Sequence, residues 1–203
     1  ADLCRLLGEM GDVRFLDDLI PLYLHFESKS PLNNYSGFIA AAVLRISGGW
    51  DRIRKDLKPD AVIRLVKQSL TVPESDGGDE VKDYSQRLSE TEKNLIITDL
   101  KKEEKDYYRL CYALRRIGLA SIDSLLILYN RQEARKTAAN AFCEMPGALD
   151  SLSGRLTVPQ IEGIIEDYYT YTGGMYWNEN LIRFMAKLRT PKCLAYLNQE
   201  ATK

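Results

Sequence analysis

A single histidine, four cysteines and a few adjacent acids are the residues of this chain with chemistry to offer. His25 would need a serine or cysteine at motif spacing to serve as a general base; only Glu27 stands near it, so it reads as an ordinary helix-end histidine. Cys4, Cys111, Cys143 and Cys193 are far apart in sequence, form no C-x-x-C pair and have no histidine at ligand spacing. A zinc site is therefore not expected, and the thiols read as small buried side chains of a protein kept in a reducing compartment, the cytoplasm. Gly48-Gly49 and Gly173-Gly174 could cradle a phosphate before a helix, but neither is followed by the Gly-Lys-Ser or G-x-G-x-x-G context that such a loop requires, so both read as turns. Glu103 with Glu104, and Glu166 with Asp167, are neighbours that diverge around a helix and give no paired-carboxylate site. On this reading no residue is catalytic, none is a metal ligand and no cofactor is called for.

Two groups of residues suit binding better than catalysis. Arg52, Arg54, Lys55, Lys58, Arg64 and Lys67, with Arg131, Arg135 and Lys136, recur at comparable places and could form a basic strip that follows a nucleic-acid backbone. Asp51, Asp56 and Asp60 interrupt the first cluster, and a solvated, ion-paired face is the simpler expectation. The second group is aromatic. Tyr23 and Tyr129 occupy matching helical places and are expected in the core, whereas Tyr176 and Trp177, in a Tyr168 to Trp177 aromatic turn, are candidate anchors for a partner. Arg64, Lys67, Arg131 and Arg135 join them as partner-binding candidates, with Arg52, Arg54, Lys55 and Lys58 as the set for nucleic acid.

The elements that must position these residues are helices. Leu110, Leu114 and Ile117 lie on one helical stripe that Gly118 ends, and Ile122, Leu125, Leu126 and Tyr129 repeat the i, i+3, i+4, i+7 spacing on a second helix. The same hairpin occurs near the start of the chain. Cys4, Leu7, Met10 and Gly11 match Cys111, Leu114, Ile117 and Gly118 at a shift of 107, and Leu16, Asp17, Leu19, Ile20 and Tyr23 match Ile122, Asp123, Leu125, Leu126 and Tyr129 at 106. Further on, Asp51, Ile53, Leu57, Val62, Leu65 and Val66 meet Asp150, Leu152, Leu156, Ile161, Ile164 and Ile165 at a shift of 99, while Ala41 and Ala42 resemble Ala138 and Ala139. The order expected is four helices, then four again. Asp17, Asp51, Asp123 and Asp150 fall where helices begin, and a capping role is expected of them.

Between the copies, residues 71–106 hold six Lys or Arg against eleven Asp or Glu. The stretch Pro73 to Glu80 reads as an acidic loop. Ser89-Glu90-Thr91-Glu92 then has capping-box spacing, and a long helix is expected to run from it into the second copy. After that copy, a helix starting at Leu181, a break at Thr190-Pro191 and a last helix through Cys193, Leu194 and Leu197 form a terminal capping hairpin. With 203 residues, 45% of them hydrophobic, and a net charge of -1, the chain can bury a core and needs no acidic partner for its overall balance. The longest apolar run, Phe38 to Leu44, is too short to cross a bilayer, so no membrane partner is expected.

The run Leu7-Gly8-Glu9-Met10-Gly11-Asp12-Val13-Arg14-Phe15-Leu16-Asp17-Asp18-Leu19 resembles the HEAT-type repeat of the phycobilin-lyase-like class, and Ala113 to Gly118 with Ile122 to Leu126 is a second match. The resemblance implies an all-α fold: an armadillo-like α-solenoid of antiparallel helix pairs, internally duplicated, with an acidic loop and helix inserted between the copies. The parts expected are 1–73, the insertion 74–106, 107–175 and the cap 176–203, together a single domain. The function expected is a non-catalytic scaffold or regulatory module that binds a protein or peptide. The alternatives are a nucleic-acid-binding solenoid, of which a DNA-glycosylase type is one form, and, from the resemblance alone, a lyase or chaperone for a chromophore or modified protein. The resemblance assigns no catalytic residue.

Overall fold

The structure, a computed structural model, describes residues 2–29, 34–72, 86–173 and 178–201. Among them all regular structure is helical, as the periodicity requires, and none is strand. The chain divides into two compact units, Ala1–Lys105 and Asp106–Lys203. No helix among the described residues is long and apolar enough to cross a membrane.

In the first unit α1 (Asp2–Met10) is followed by a short 3-10 turn (Val13–Phe15) and α2 (Leu16–Lys29). Then come α3 (Asn34–Arg45), α4 (Gly49–Asp56), α5 (Pro59–Leu70) and α6 (Glu90–Glu103). The centre is α3, which α1, α2, α4 and α5 all pack against. Its sequence dictates this place. Ile39, Ala40, Ala41, Ala42, Val43 and Leu44 are apolar all round the helix, so every face must be covered, and all six are buried. The alanines let neighbouring backbones approach, and each fully buried Ile or Leu contributes roughly 1.5 to 3 kcal/mol of apolar transfer.

The second unit runs α7 (Tyr107–Ile117), a 3-10 turn (Leu119–Ser121), α8 (Ile122–Tyr129), α9 (Arg135–Glu144), α10 (Ala148–Ser153) and α11 (Val158–Thr172). It ends with α12 (Glu179–Leu188) and α13 (Pro191–Ala201). Here α9 is central, packed by α7, α8, α10, α11 and α12, with Ala138, Ala139, Ala141, Phe142 and Cys143 buried. The order helix, glycine, 3-10 turn, helix, central helix, short helix, helix is the same in both units. Each set therefore has five helices rather than the four expected, because the Gly48 and Gly147 turns are single left-handed residues after which the chain winds at once into α4 and α10.

Local geometry corrects four further expectations. The helix beginning at Ser89 does not continue into the second unit. Glu104 is extended and Asp106 starts α7 by accepting hydrogen bonds from the Tyr108 N–H at 2.8 Å and the Arg109 N–H at 3.4 Å. Acids at 103, 104 and 106 oppose the negative end of a helix and favour the start of a new one. Tyr168, Tyr169 and Tyr171 belong to α11, which closes at left-handed Gly173, and not to a turn. The terminal hydrogen bonds of the central helices, Ala42 O to Ile46 N–H and Ala141 O to Met145 N–H, fall 99 residues apart, whereas the expected Ala41/Ala138 and Ala42/Ala139 matches have a shift of 97. The four aspartates do lie in the first turn of their helices, at the positive end of the dipole, but the cap itself is not theirs: Gly48, Ser121 and Gly147 occupy the cap of α4, α8 and α10 without a side-chain hydrogen bond. Asp17, Asp123 and Asp150 instead reach Arg52, Arg155 and Lys187.

Other expectations of local geometry hold. Ser89 and Glu92 form the reciprocal capping box of α6, with Glu92 Oε2 accepting from the Ser89 N–H at 2.8 Å and from its hydroxyl at 2.9 Å. Thr190 Oγ1 accepts from the Cys193 N–H at 3.2 Å where α13 begins at Pro191. The Pro73 to Glu80 loop lies outside the described residues.

Candidate interaction surface

The basic residues singled out in the sequence are placed on helices whose neighbours carry the matching acids. In the first unit Arg52 on α4 donates to Asp17 Oδ1 at 2.7 Å and to Asp56, while Arg54 donates to Glu92 Oε1 at 2.7 Å and lies over the Trp50 ring. Arg64 on α5 is paired with Glu27. Lys67, with its side chain largely buried, donates to Glu103 Oε2 at 2.8 Å and stands 3.6 Å from Asp99. The acids of α6 thus supply the counter-charge for Arg54 and Lys67. Lys55 and Lys58 are exposed and have no ion-pair partner among the described residues. The Arg54 guanidinium, followed by the Ser89 hydrogen bonds, holds the Glu92 carboxyl down to about 2.

In the second unit Arg131 donates to the Tyr107 hydroxyl at 3.2 Å. Arg135 lies 4.7 Å over the Tyr129 ring, donates to its hydroxyl oxygen at 3.0 Å and to Asp167 Oδ2 at 2.7 Å, and the Tyr129 hydroxyl donates to the same carboxylate oxygen at 2.7 Å. The matching Tyr23 is fully buried between the charges of Glu27 and Arg64, and its hydroxyl has no hydrogen-bond partner among the described residues. Burial first, then the neighbouring carboxylate, raises the ionisation of both phenols. Both phenols therefore stay neutral, and of the two only Tyr129 donates, to Asp167. Tyr176 and Trp177 lie outside the described residues.

The thiols offer little nucleophilicity where they sit. Cys111 is pushed up to about 12 by burial and Cys143 is pushed up further in the same direction. No disulfide joins any of the four.

What the sequence reading did not single out is an aliphatic stripe on α1 and the turn after it. Leu3, Leu6, Met10 and Val13 are 69%, 51%, 63% and 54% exposed. The cause is the way α1 meets α3: it approaches through Gly8, where an added Cβ would stand 3.0 Å from Arg45 Cδ and 3.3 Å from Ala42 Cα. That contact turns Leu3, Leu6 and Met10 away from the core. Leu110, Ala113 and Ile117, at the same places of α7, are all buried. The signal was present in the sequence as an apolar arc on α1 wider than one helix contact needs.

Compared with known proteins, the chain matches no family model, no curated protein and no solved structure.

Proposed function

We propose that this chain is a HEAT-like α-solenoid module, arisen by duplication of a two-hairpin block, that works without catalysis as a cytoplasmic scaffold or regulatory element binding a protein or peptide. The repeated order of elements supports the duplication, as do the positive φ of both Gly11 and Gly118 before a 3-10 turn and the left-handed Gly48 and Gly147. A duplicated helical block cannot cover all its own apolar surface, so it presents faces that other helices must meet.

The observation that carries the binding role is the exposed Leu3, Leu6 and Met10 stripe of α1, set against the burial of Leu110, Ala113 and Ile117 on α7. An aliphatic face of this kind suits an amphipathic helix laid along it. The test is affinity capture with the wild-type chain and with Leu6→Glu/Met10→Glu, each with and without nuclease. The expected result is a protein retained by the wild type, lost with the double variant and unaffected by nuclease. Retention that depends on nucleic acid, or that ignores the double variant, would defeat this reading.

A further inference from the structure

We propose that α6 is a built-in ligand: within the first unit it occupies a helix-binding face of α4 and α5 that an acidic amphipathic helix of a partner protein takes over when α6 is displaced. This face is not the α1 stripe, and the inference stands or falls without it.

The chemistry of the occupant is written in α6 itself. Ile96, Ile97 and Leu100 are its buried anchors, and the helix packs on α5. Three of its acids reach the unit beside them. Glu92 accepts from Arg54 of α4 at 2.7 Å, and Asp99 and Glu103 stand 3.6 Å and 2.8 Å from the Lys67 ammonium of α5. Counted from Ile96, the anchors fall at i, i+1 and i+4 and the acids at i−4, i+3 and i+7, so both sets share one side of the helix. Each ion pair that joins α6 to α4 and α5 has its acid on α6, while Lys93 is paired with Glu90 of the same helix and Lys101 and Lys102 are exposed. Apolar anchors one turn apart are what a helix-receiving groove reads, and Arg54 and Lys67 add the sign of the charge. A basic helix would bring like charge to both and is rejected.

Three features make α6 separable from the face it covers. It lies outside the order of elements that the two units share: α12, which follows that order in the second unit, packs on the central helix α9 and on α10, whereas α6 packs on α5. Its first turn is capped from within, by Ser89 and Glu92, and Glu104 leaves its other end extended, so α6 can part and return as a helix. Its polar attachments are ion pairs whose Asp99 and Glu103 side chains are 45% and 41% exposed, the kind that water and salt weaken. Being tethered, α6 acts at an effective concentration on the order of millimolar and hides the face from a free helix of equal intrinsic affinity.

The probe is a fluorescein-labelled peptide with the sequence of residues 89–105, and the receptor is the whole chain. Ile96→Asp/Leu100→Asp removes the anchors of α6 and leaves α4 and α5 as they are; this opened chain should bind the peptide at least about tenfold more tightly than the wild type does. Adding Lys67→Glu to the opened chain should abolish binding, as should Glu92→Lys, Asp99→Lys and Glu103→Lys in the peptide. In the wild type, native-state hydrogen exchange should release the α6 amides together, at least about a hundredfold faster than those of α3. Protection of α6 equal to that of α3, or an opened chain that loses more helix than α6 contains, would make α6 part of the core and overturn the proposal. So would peptide binding no tighter than that of the wild type or indifferent to Lys67→Glu, or an opened chain that takes a duplex oligonucleotide and not the peptide. None of these results alters what the α1 variants capture, so the two readings fail separately.

Discussion

Two tyrosines at matching places answer the same problem differently, and the difference is measurable. The Tyr129 hydroxyl is satisfied by the carboxylate of Asp167, with Arg135 stacked over its ring, whereas the Tyr23 hydroxyl is buried with no hydrogen-bond partner among the described residues. A hydrogen bond to a charged acceptor is worth more than a neutral one, while a buried hydroxyl without a partner is a cost. Tyr129→Phe is expected to lose about 1 kcal/mol in urea unfolding, and Tyr23→Phe to change stability by less than about 0.5 kcal/mol or to raise it. An equal loss at both positions would show that Tyr23 is paired in solution. Glu92 supplies a second test. Its carboxyl is held down to about 2, chiefly by Arg54, so its folded value lies below the unfolded one of about 4.3. A carboxylate shifted in that direction adds stability at all pH above its unfolded value and loses it as pH falls to its folded value. The gap in stability between wild type and Arg54→Gln should therefore be full at neutral pH and narrow between about pH 4.3 and pH 2. A gap that does not change with pH would mean that the pair adds nothing beyond the stacking of Arg54 on Trp50.

At the scale of elements, what was legible in the sequence was whatever a short window determines. The stripe of α7, the stop at Gly118 and the capping box at Ser89 depend on neighbours three or four residues apart, and all are in place. That the helices starting near Asp51 and Asp150 stop so soon, as the short α4 and α10, was not legible because eight and six residues are too few for a period to declare itself. The break at Glu104 was missed because Lys101, Lys102, Glu103 and Glu104 are all compatible with helix, and only the cap formed by Asp106 decides against continuing. The α1 arc shows in the sequence as wider than one contact needs, but which part of it stays uncovered does not, since an apolar face looks alike whether or not something covers it. The turn after α7 has the most demanding backbone: Gly118 has φ 87° and ψ -153°, a region open essentially to glycine alone. Leu119 begins the 3-10 turn directly after it, and the Ser121 hydroxyl, buried, donates back to Leu114 O at 2.7 Å, so the conformation cannot relax without losing that bond. Gly118→Val, and to a smaller degree Gly118→Ala, is expected to cost about 1 to 3 kcal/mol, read as a melting temperature lower by several degrees. Unchanged melting would indicate that the turn has another low-energy form.

For the whole molecule, the charge arrangement decides how the chain meets nucleic acid. Net charge is -1, and of the cations proposed to follow a phosphate backbone Arg52, Arg54, Arg64, Lys67 and Arg135 are each bound to a carboxylate of their own unit. Phosphate would have to displace those carboxylates, giving up one ion pair for another at similar distance, with no gain except counterion release. That leaves Lys55 and Lys58 in the first unit and Arg131 and Lys136 in the second, two cations per unit without a carboxylate partner among the described residues, and two contacts predict a slope of log K on log salt near -1.8, from about 0.9 per phosphate neutralised. Binding of that strength is too weak to saturate at micromolar protein. Fluorescence anisotropy of a labelled duplex in low salt should therefore show no saturable binding, and making Lys55 and Lys58 neutral should change nothing. A saturable isotherm with a slope steeper than about -5 would require the paired arginines to turn outward and release their acids. In that case Arg52→Gln and Arg54→Gln would weaken binding further while removing the very ion pairs that hold α4 to α2 and α6, so loss of affinity and loss of stability would appear together; their separation would place the phosphate contacts on other residues.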